Sequence, residues 1–355
     1  MDYEFWKGKK VLVTGHTGFK GSWLCIWLLS LGAEVVGYAL EPKHPEDNYV
    51  TAGLTNKMTD IRGDIRDREH LQQVFAQYRP EVVFHLAAQP LVLESYQNPY
   101  ETYEINVMGT MNVLEAIRYT DSVRTAIMIT TDKCYENRET LEGYKETDPF
   151  GGYDPYSSSK ACDEILIASY RNSYFSLDSY EMHHKAIASV RAGNVIGGGD
   201  WAANRILPDC IRAIEAGEPI QIRNRHSIRP WQHVLEPLSG YLELAEKMTE
   251  NPHKYSGGWN FGPGQDCMWT VWDVASCVVE KYGKGSLLDQ TQENAVHEAA
   301  KLVLNIEKAE SELGWKPRLG VEEAIAWTVE WYRNRKHYDT YQVCQEQIQA
   351  YQKLY

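Results

Sequence analysis

The segment from residue 10 to residue 32, KVLVTGHTGFKGSWLCIWLLSLG, constrains the fold of this chain more than any other. A short apolar run ends at Thr14, and between it and the next apolar run stand three glycines, Gly15, Gly18 and Gly21. Glycines at this spacing allow a tight turn, approach of backbone N–H groups to a pyrophosphate, and close packing of helix on strand. The helix dipole favours the same anion. The segment therefore predicts the opening strand and helix of a dinucleotide-binding fold.

Short apolar runs continue to alternate with helix-length amphipathic segments through the first half of the chain. The runs 34–40, 81–88 and 124–131 are predicted as strands, and the segments 68–78 and 101–119 as helices. This order is typical of a parallel sheet with helices on both faces. After about residue 195, segments rich in Gly, Asn, Arg and Trp predict a smaller lobe over the carboxyl edge of that sheet.

We therefore predict an α/β protein with a Rossmann-type, doubly wound parallel sheet and a smaller C-terminal α/β substrate-binding lobe. Residues 1–195 are predicted to form the NAD-binding domain, with a returning segment near 233–262. Residues 196–355 are predicted to form mainly the substrate-binding lobe. The polar, Gln- and Tyr-rich tail from about residue 335 is predicted to be a surface helix.

The charge and cysteine content exclude some classes of protein. A formal net charge of −13 argues against a nucleic-acid or anionic-membrane partner, because both need a basic surface. The seven cysteines form no CxxC pair and no metal-ligand spacing, which predicts reduced thiols and no metal site. The sequence has neither a signal-peptide pattern nor a transmembrane-length apolar run. We expect a soluble, cytoplasmic protein.

Acidic residues beyond the glycine turn bear on the choice of cofactor. The acid that binds an adenosine ribose is expected about twenty residues on, and the nearest one, Glu41, stands slightly late. No arginine follows it directly, which favours NAD over NADP, while Lys43 is evidence on the other side. Asp64, after the third predicted strand, either caps the adenine amine or is a turn aspartate, and the sequence leaves both interpretations open.

A tyrosine and a lysine lie four residues apart at the start of a predicted helix. This spacing places Tyr156 and Lys160 on one helix face. A tyrosine titrates at about 10, and a nearby ammonium together with a nicotinamide cation depresses that value. Such a tyrosine can take a proton from an alcohol as hydride leaves its carbon. A Y-x-x-x-K pair alone is common, but with the glycine turn it favours a dehydrogenase-type site.

The hexapeptide TTDKCY, residues 130–135, follows the apolar run TAIMI. It places a hydroxyl, a carboxylate and an amine side by side where a buried strand should end. Thr131, Asp132 and Lys133 are therefore candidate catalytic residues, the alternative being two solvated surface charges.

Together these motifs resemble the extended short-chain dehydrogenase/reductase family of nucleotide-sugar enzymes. The resemblance rests on TGxxGFxG, HLAA at 85–88, the hydroxyl at the strand end and Y-x-x-x-K, and it reaches SELGWKPR at 311–318. The longer strings TGHTGFKGSW, TTDKCYEN and GNVIGGGDW are similar to the 4,6-dehydratases of that family. The resemblance implies CDP-glucose as substrate, a recycled NAD, and a 4-keto-6-deoxy sugar as product, in deoxysugar biosynthesis of the O-antigen type.

The resemblance also implies roles for the catalytic candidates. Tyr156, helped by Thr131, takes the proton of the sugar 4-hydroxyl, and Asp132 protonates the departing 6-hydroxyl. Lys133 stands where dTDP-glucose relatives carry Glu, and is either the C5 base or a cation that stabilises the enolate. The alternatives are a 4-epimerase, which needs no such acid and base, a dehydratase for another nucleotide sugar, and an NAD-binding scaffold without catalysis.

Further binding residues are implied by position in the family pattern. The cofactor set is Gly15, Thr17, Gly18, Phe19, Lys20, Gly21, Asp64, Ile65, Leu86, Ala87, Ala88, Gln89, Asn106, Thr130, Tyr156 and Lys160. The substrate set is Asn194, Trp201, Arg205, Arg223, Arg229 and His297. His16 and Lys20 stand where the family usually has small or apolar residues, and together with the displaced Glu41 this predicts weak cofactor retention; the alternative for Lys20 is an added contact with the cofactor. A homodimer is expected through the helices containing 101–119 and 157–175.

Overall fold

The computed structural model describes residues 2–138, 142–264, 267–291 and 302–355. Within these ranges the strands are β1 Lys10–Thr14, β2 Glu34–Ala39, β3 Thr59–Arg62, β4 Val82–His85, β5 Thr125–Ile129, β6 Ala186–Ala192, β7 Val195–Ile196, β8 Ile220–Ile222, β9 Ile228–Pro230, β10 Gln232–His233, β11 Gly257–Phe261, β12 Met268–Thr270 and β13 Leu287–Asp289. The central sheet contains seven of them in the spatial order β11-β6-β5-β4-β1-β2-β3, and every pairing in it is parallel.

Helices cover both faces of this sheet. They are α1 Tyr3–Trp6, α2 Phe19–Ser30, α3 Asn48–Thr51, α4 Arg68–Tyr78, α5 Val92–Gln97, α6 Pro99–Tyr103, α7 Gly109–Arg118, α8 Pro155–Ser173, α9 Tyr180–His183, α10 Ile206–Ala216, α11 Leu235–Glu250, α12 Pro252–Tyr255, α13 Val271–Tyr282, α14 Val321–Asn334 and α15 Thr340–Gln352. A π-helical turn, Glu104–Met108, joins α6 to α7. The predicted helix 101–119 is therefore two helices joined through a wider turn, whereas α4 has the predicted bounds.

The apolar character of the strands explains the sheet. In the register, Val11 lies between Val35 of β2 and Val82 of β4, and all three side chains are buried. Strands covered on both faces are apolar at nearly every position, as parallel sheets require. The predicted Rossmann-type, doubly wound sheet is confirmed.

The second lobe is built from short strand pairs and three helices. Its pairs are β7 with β10, β8 with β13 and β9 with β12, and its helices are α10, α13 and α14. One apolar core runs from the sheet into this lobe. At the junction, the Trp23 indole donates to the Gly198 carbonyl at 2.8 Å, and a Cβ on Gly198 would lie 2.0 Å from the Trp331 ring. These contacts hold the second lobe against α2.

The tail is helical, as predicted, but one face of it is buried. In α15, the Tyr351 ring packs edge-on against Trp27 of α2 at 5.8 Å, and its hydroxyl donates to Glu236 at 2.7 Å. The prediction of a surface helix is therefore incomplete, because Val343, Cys344 and Ile348 form a buried apolar stripe along α15. In the described parts of the chain, no helix has the length and apolarity needed to cross a membrane.

Candidate active site

The glycine turn after β1 owes its shape to missing side chains. Gly15 has φ +74°, and a Cβ there would lie 2.7 Å from the Ala87 nitrogen. A Cβ on Gly21 would lie 2.1 Å from the Gly15 carbonyl oxygen, so these two glycines are needed for packing. Gly18, which caps α2, is different, since its Cβ would meet only the Gly15 oxygen at 3.4 Å. Gly18 therefore leaves the N-terminus of α2 bare, which suits a pyrophosphate.

His16 points from this turn towards the sheet. Its Nε2 lies 2.7 Å from Asp60 Oδ1, and a Cβ on Gly37 would be 2.3 Å from its ring. Burial lowers the pKa of His16, although Asp60 opposes the shift. The ring is fully buried against Gly37 of β2 and Asp60 of β3, on the side of the glycine turn where the adenosine half of a dinucleotide is expected.

Lys20, in the first turn of α2, extends towards the part of the sheet edge where Asp132 and Lys160 lie, which we call the reaction side. Its Nζ lies 5.9 Å from the centroid of the Tyr241 ring. Burial, and then the charge of Arg205, lower the pKa of Lys20 to about 8, and the charges of Asp132 and Lys160 also act on it. Lys20 is thus an extra cation beside the candidate catalytic groups.

The acids beyond the glycine turn are engaged with arginines. Glu41 accepts a hydrogen bond from Arg62 at 2.9 Å. Asp64 accepts from the backbone and the guanidinium of Arg66, at 2.9 and 2.6 Å. Burial would raise the pKa of Asp64, but the hydrogen bonds from Arg66 hold it below its usual value. Sequence reasoning does not reveal the partner of Glu41, because Arg62 is 21 residues away along the chain and comes close only through the pairing of β2 with β3.

Three other predicted cofactor residues surround the turn. The Thr17 hydroxyl donates to the Leu40 carbonyl at 3.1 Å. A Cβ on Gly197 would lie 3.0 Å from the Phe19 ring, so this ring packs against the second lobe. Ile65 is buried at the end of β3. The side chains of Thr17 and Phe19 thus anchor the turn to its neighbours.

The backbone of Leu86 and Ala87 lies against Gly15 of the glycine turn. Asn106, in the π-helical turn, holds Gln89 of the same segment by hydrogen bonds. The fully buried Asn106 accepts from the Gln89 backbone nitrogen at 2.8 Å. It donates to the Gln89 carbonyl at 3.1 Å and to the Ser159 hydroxyl at 2.8 Å. Asn106 therefore connects the segment after β4 to α8.

Tyr156 and Thr131 meet at the carboxyl end of β5, with Lys160 one turn further along α8. All three side chains are buried. Burial raises the pKa of Tyr156, while Lys160 and a hydrogen bond with Thr131 act to lower it. The lysine alone does not activate this tyrosine, and a further positive charge beside it would act in the same direction as Lys160.

Asp132, the third residue of the hexapeptide, is buried where the hexapeptide meets Gly193. It accepts from the Thr131 hydroxyl at 2.9 Å, and a Cβ on Gly193 would lie 3.0 Å from its Oδ2. Burial raises the pKa of Asp132, and the charges of Lys133 and Arg229 oppose this shift. A carboxyl group with a raised pKa has the character of a general acid.

A buried network missed by sequence reasoning holds the hexapeptide. Arg191 of β6 donates to both carboxylate oxygens of Glu164, at 2.8 and 2.7 Å, and to the Tyr135 hydroxyl at 2.6 Å. Glu164 also accepts from the Thr130 hydroxyl and lies one turn beyond Lys160. Burial would raise the pKa of Glu164, but Arg191 holds it below its usual value. The network joins both ends of TTDKCY to α8.

The predicted substrate residues divide into two groups. Arg205 donates to Asp200 at 2.8 Å, and its charge also acts on Tyr156 and Lys20. Asn194 follows β6 at the same edge, and its carbonyl accepts from the Gln232 nitrogen at 3.1 Å. These two residues, with Arg229, lie on the reaction side.

The second group lies away from the reaction centre or outside the description. Arg223 donates to Asn204 at 2.8 Å on the surface. The sequence leaves Trp201 either a substrate-stacking residue or a core residue, and its contacts favour the core: the indole donates to the Glu46 carbonyl at 2.7 Å and the ring packs against Tyr332. His297 lies outside the described residues.

The fold and this edge define a class of protein. A glycine turn opening a doubly wound sheet, with Thr131, Tyr156 and Lys160 across from it, is the arrangement of a short-chain dehydrogenase/reductase. The family model described as GDP-mannose 4,6 dehydratase matches residues 12–328. The chain belongs to that family.

Individual relatives carry related activities in their names. The chain is 48% identical over 333 residues to a CDP-glucose 4,6-dehydratase of Salmonella typhimurium, covering 94% of this chain and 93% of the relative. It is 26% identical to a dTDP-glucose 4,6-dehydratase of Neisseria gonorrhoeae, covering 93% and 97%. Among solved structures, the UDP-glucose 4-epimerase of Thermus thermophilus in complex with NAD superposes with a TM-score of 0.75 at 28% identity, covering 91% and 98%.

Proposed function

We propose that this protein converts CDP-glucose to CDP-4-keto-6-deoxyglucose with NAD as an internally recycled cofactor. The observation that carries the proposal is the buried Asp132 beside Thr131 and Lys133 in a chain 48% identical to a CDP-glucose 4,6-dehydratase. An epimerase needs the alcohol base but has no use for a separate acid and base at C5 and C6. The Asp132–Lys133 pair therefore favours dehydration.

The residues at the edge fit NAD. The bare N-terminus of α2 at Gly18 suits the pyrophosphate, and Tyr156 and Lys160 face the position expected for the nicotinamide ribose. NAD, when bound, supplies the hydride acceptor and donor of the reaction. Arg62 does not favour NADP over NAD. The 2′-phosphate of NADP would need a free cation at this position, and the charge of Arg62 is neutralised by Glu41.

The protein groups account for the proton movements. Tyr156 takes the proton of the 4-hydroxyl, with Thr131 hydrogen-bonded to it and Lys160 stabilising the phenolate. The resulting 4-ketone acidifies the C5 proton. Lys133 takes that proton or stabilises the enolate, and Asp132 protonates the 6-hydroxyl, which leaves as water. Burial raises the pKa of Asp132, which favours the protonated acid that this step needs.

Arginines provide the charge for a diphosphate. Arg205 and Arg229 lie on the reaction side of the second lobe, and Asn194 at the end of β6. Two guanidinium groups can bind a diphosphate although the whole chain is acidic, and Arg205 would then share its charge between the diphosphate and Asp200. We assign the nucleotide sugar to the cleft between this lobe and the sheet.

A homodimer and a cytoplasmic location complete the proposal. The outer faces of α6, the π-helical turn and α8 expose Tyr100, Met108 and Ile165, which are 80%, 47% and 59% exposed. Burial of these side chains against the same helices of a second copy would remove apolar surface from water. All seven cysteines lie among the described residues and none of them forms a disulfide, in keeping with a reducing compartment.

The test of the proposed function is a substrate comparison. Purified protein with NAD⁺ is offered CDP-, dTDP- and GDP-hexoses, and the alkali-sensitive absorbance of a 4-keto product is followed. We expect CDP-glucose to be turned over with the highest kcat/KM. A preference for dTDP-glucose would correct the nucleotide, and a C4-epimerised product retaining the 6-hydroxyl would replace dehydration by epimerisation.

A further inference from the structure

A buried ion pair joins Lys160, one turn after Tyr156, to Asp163. None of the roles assigned above involves Asp163. Asp163 Oδ2 accepts a hydrogen bond from Lys160 Nζ at 2.8 Å, and the two side chains are 1% and 4% exposed. Asp163 Oδ1 is also buried, and a hydrogen bond from Thr110 to this carboxyl group acts with Lys160 to oppose the effect of burial on its pKa. This pair differs from an ion pair on a helix surface, because both side chains are shielded from solvent and the charge of each is balanced mainly by the other.

We propose that Asp163 is the counter-ion that keeps Lys160 protonated, and so positions its ammonium group to act on Tyr156. The inference rests on the proposed function for the importance of Lys160, but the ion pair itself does not. Asp163 acts through Lys160 and is a positioning residue.

The charges around the pair explain why a counter-ion is needed. The titratable groups that act on Lys160 or Asp163 are Tyr156, Cys162 and Glu164 on α8, His85 on β4 and Lys20 on α2. Glu164 is already paired with Arg191, and Lys20 is a second cation on the same side. Asp163 is therefore the carboxylate available to balance Lys160.

The protonation of both partners agrees with this role. Burial acts to lower the pKa of Lys160, yet the Asp163 carboxylate holds it above its usual value. Burial raises the pKa of Asp163 to about 6, against the effect of Lys160. The ionised carboxylate of Asp163 therefore favours the protonated form of Lys160, and the ammonium group in turn favours the ionised carboxylate.

The first test measures Lys160 directly and needs no activity. In protein labelled with [ε-¹³C]lysine, the Lys160 resonance is assigned by its absence from Lys160→Arg and followed against pH. In the wild type we expect Lys160 to stay protonated up to pH 10 or above. In Asp163→Asn its midpoint should fall by about one to three pH units, the effect of removing an adjacent opposite charge from a buried lysine. Asp163→Glu should restore the wild-type titration.

The second test follows the consequence in catalysis. With saturating NAD⁺ and CDP-glucose, the rate of C4 oxidation in Asp163→Asn should fall as pH rises through the lowered midpoint of Lys160, by roughly tenfold at one pH unit above that midpoint. The same fall should be absent from Asp163→Glu. Adding Lys20→Met to Asp163→Asn removes the nearest competing cation, and should move the midpoint of Lys160 partly back upward.

The control is Glu246→Gln, which removes another buried carboxyl. Glu246 accepts from the Trp6 indole at 2.6 Å near the end of α11, where Thr249 contacts Thr125 at the start of β5. It lies at the opposite edge of the sheet and should leave the titration of Lys160 unchanged. Should Asp163→Asn fail to fold, Asp163→Ser repeats the measurement.

Several results would overturn the inference. They are a wild-type Lys160 that titrates below pH 9, an unshifted Lys160 in Asp163→Asn, or an equal shift in Glu246→Gln. A wild type that titrates as expected but produces no 4-keto sugar would instead overturn the proposed function and leave the counter-ion standing.

Discussion

The turn after β1 and the hexapeptide after β5 lie at the same edge of the sheet but are built in opposite ways. The glycine turn depends on atoms that are absent, since a Cβ on Gly15 or Gly21 would lie within 3 Å of backbone atoms. The hexapeptide depends on buried polar side chains, joined through Glu164 and Arg191. The first offers backbone N–H groups to an anion, and the second offers groups that exchange protons. Substitutions should therefore affect binding in the first region and chemistry in the second.

The largest effect should come from Tyr156→Phe, which removes the group that deprotonates the 4-hydroxyl. Loss of a general base typically costs about a hundredfold to ten-thousandfold in rate, with cofactor affinity changed far less. Single-turnover absorbance of the reduced cofactor measures this step. Tyr170→Phe is the matched control, because Tyr170 is on the same helix and bonds Glu115 at 3.1 Å, away from the site. A near-normal rate in Tyr156→Phe would mean that the Y-x-x-x-K pair is misassigned.

Next in size is the effect of separating Glu164 from Arg191. Glu164→Gln leaves a buried guanidinium unpaired, which costs about 3–5 kcal/mol of folding stability. The double variant Glu164→Gln/Arg191→Met should recover much of that stability. Its kcat should nevertheless stay roughly ten- to hundredfold low, because the hexapeptide is no longer fixed to α8. Recovery of kcat together with thermal stability would show that the network only stabilises the fold.

A smaller effect, on binding alone, is expected for Gly18→Ala. The added methyl group finds room in the protein, so thermal stability should change little. It lies where the pyrophosphate approaches, and the loss of about one charge-assisted hydrogen bond corresponds to roughly tenfold in the Kd for NAD⁺. Gly21→Ala, which would clash with the Gly15 oxygen, should instead lower thermal stability. If the two variants behave alike, the glycine turn has no separate binding position.

The smallest effect is expected at His16. Its ring occupies space at the adenosine side of the edge, so purified protein should be partly empty of NAD and respond to added NAD⁺. His16→Gly should then tighten NAD⁺ binding by about fivefold, on the order of 1 kcal/mol. Isothermal titration measures the change. Full occupancy after purification, with no response to NAD⁺, would contradict this view of His16.

The sequence predicts the glycine turn and the order of the central sheet elements well, because both depend on local patterns. Strands buried on two faces are apolar throughout, and a glycine turn requires particular residue types at fixed spacing. The structure brings the catalytic candidates Thr131, Tyr156 and Lys160 together, because α8 begins beside the carboxyl end of β5. Their chemical roles are still predictions.

What the sequence could not reveal depends on distant partners. Trp201 stands in a loop rich in Gly and Asn, where a tryptophan can equally stack on a ligand or pack in the core. Its contact with Tyr332, which is distant in sequence, favours the core. Arg191 did leave a signal, because an arginine inside the buried run IASVRAG requires a buried acid. Asp163 and Glu164 stand three and four residues after Lys160, a spacing that could have suggested their contacts with the site.

The central claim is that Asp132 and Lys133 divide the dehydration between an acid and a base after C4 oxidation. One experiment tests it: single-turnover reaction of CDP-glucose in deuterated solvent with Asp132→Asn and with Lys133→Met. Asp132→Asn should oxidise C4 and then stall with the reduced-cofactor signal persisting. In the wild type, water loss should slow as pH rises through the raised pKa of Asp132, because the ionised carboxylate has no proton to donate. Lys133→Met should also oxidise C4 but incorporate no deuterium at C5, whereas slow incorporation would mark Lys133 as a stabilising cation. The account is contradicted if Asp132→Asn loses C4 oxidation yet dehydrates a preformed 4-keto sugar at the normal rate.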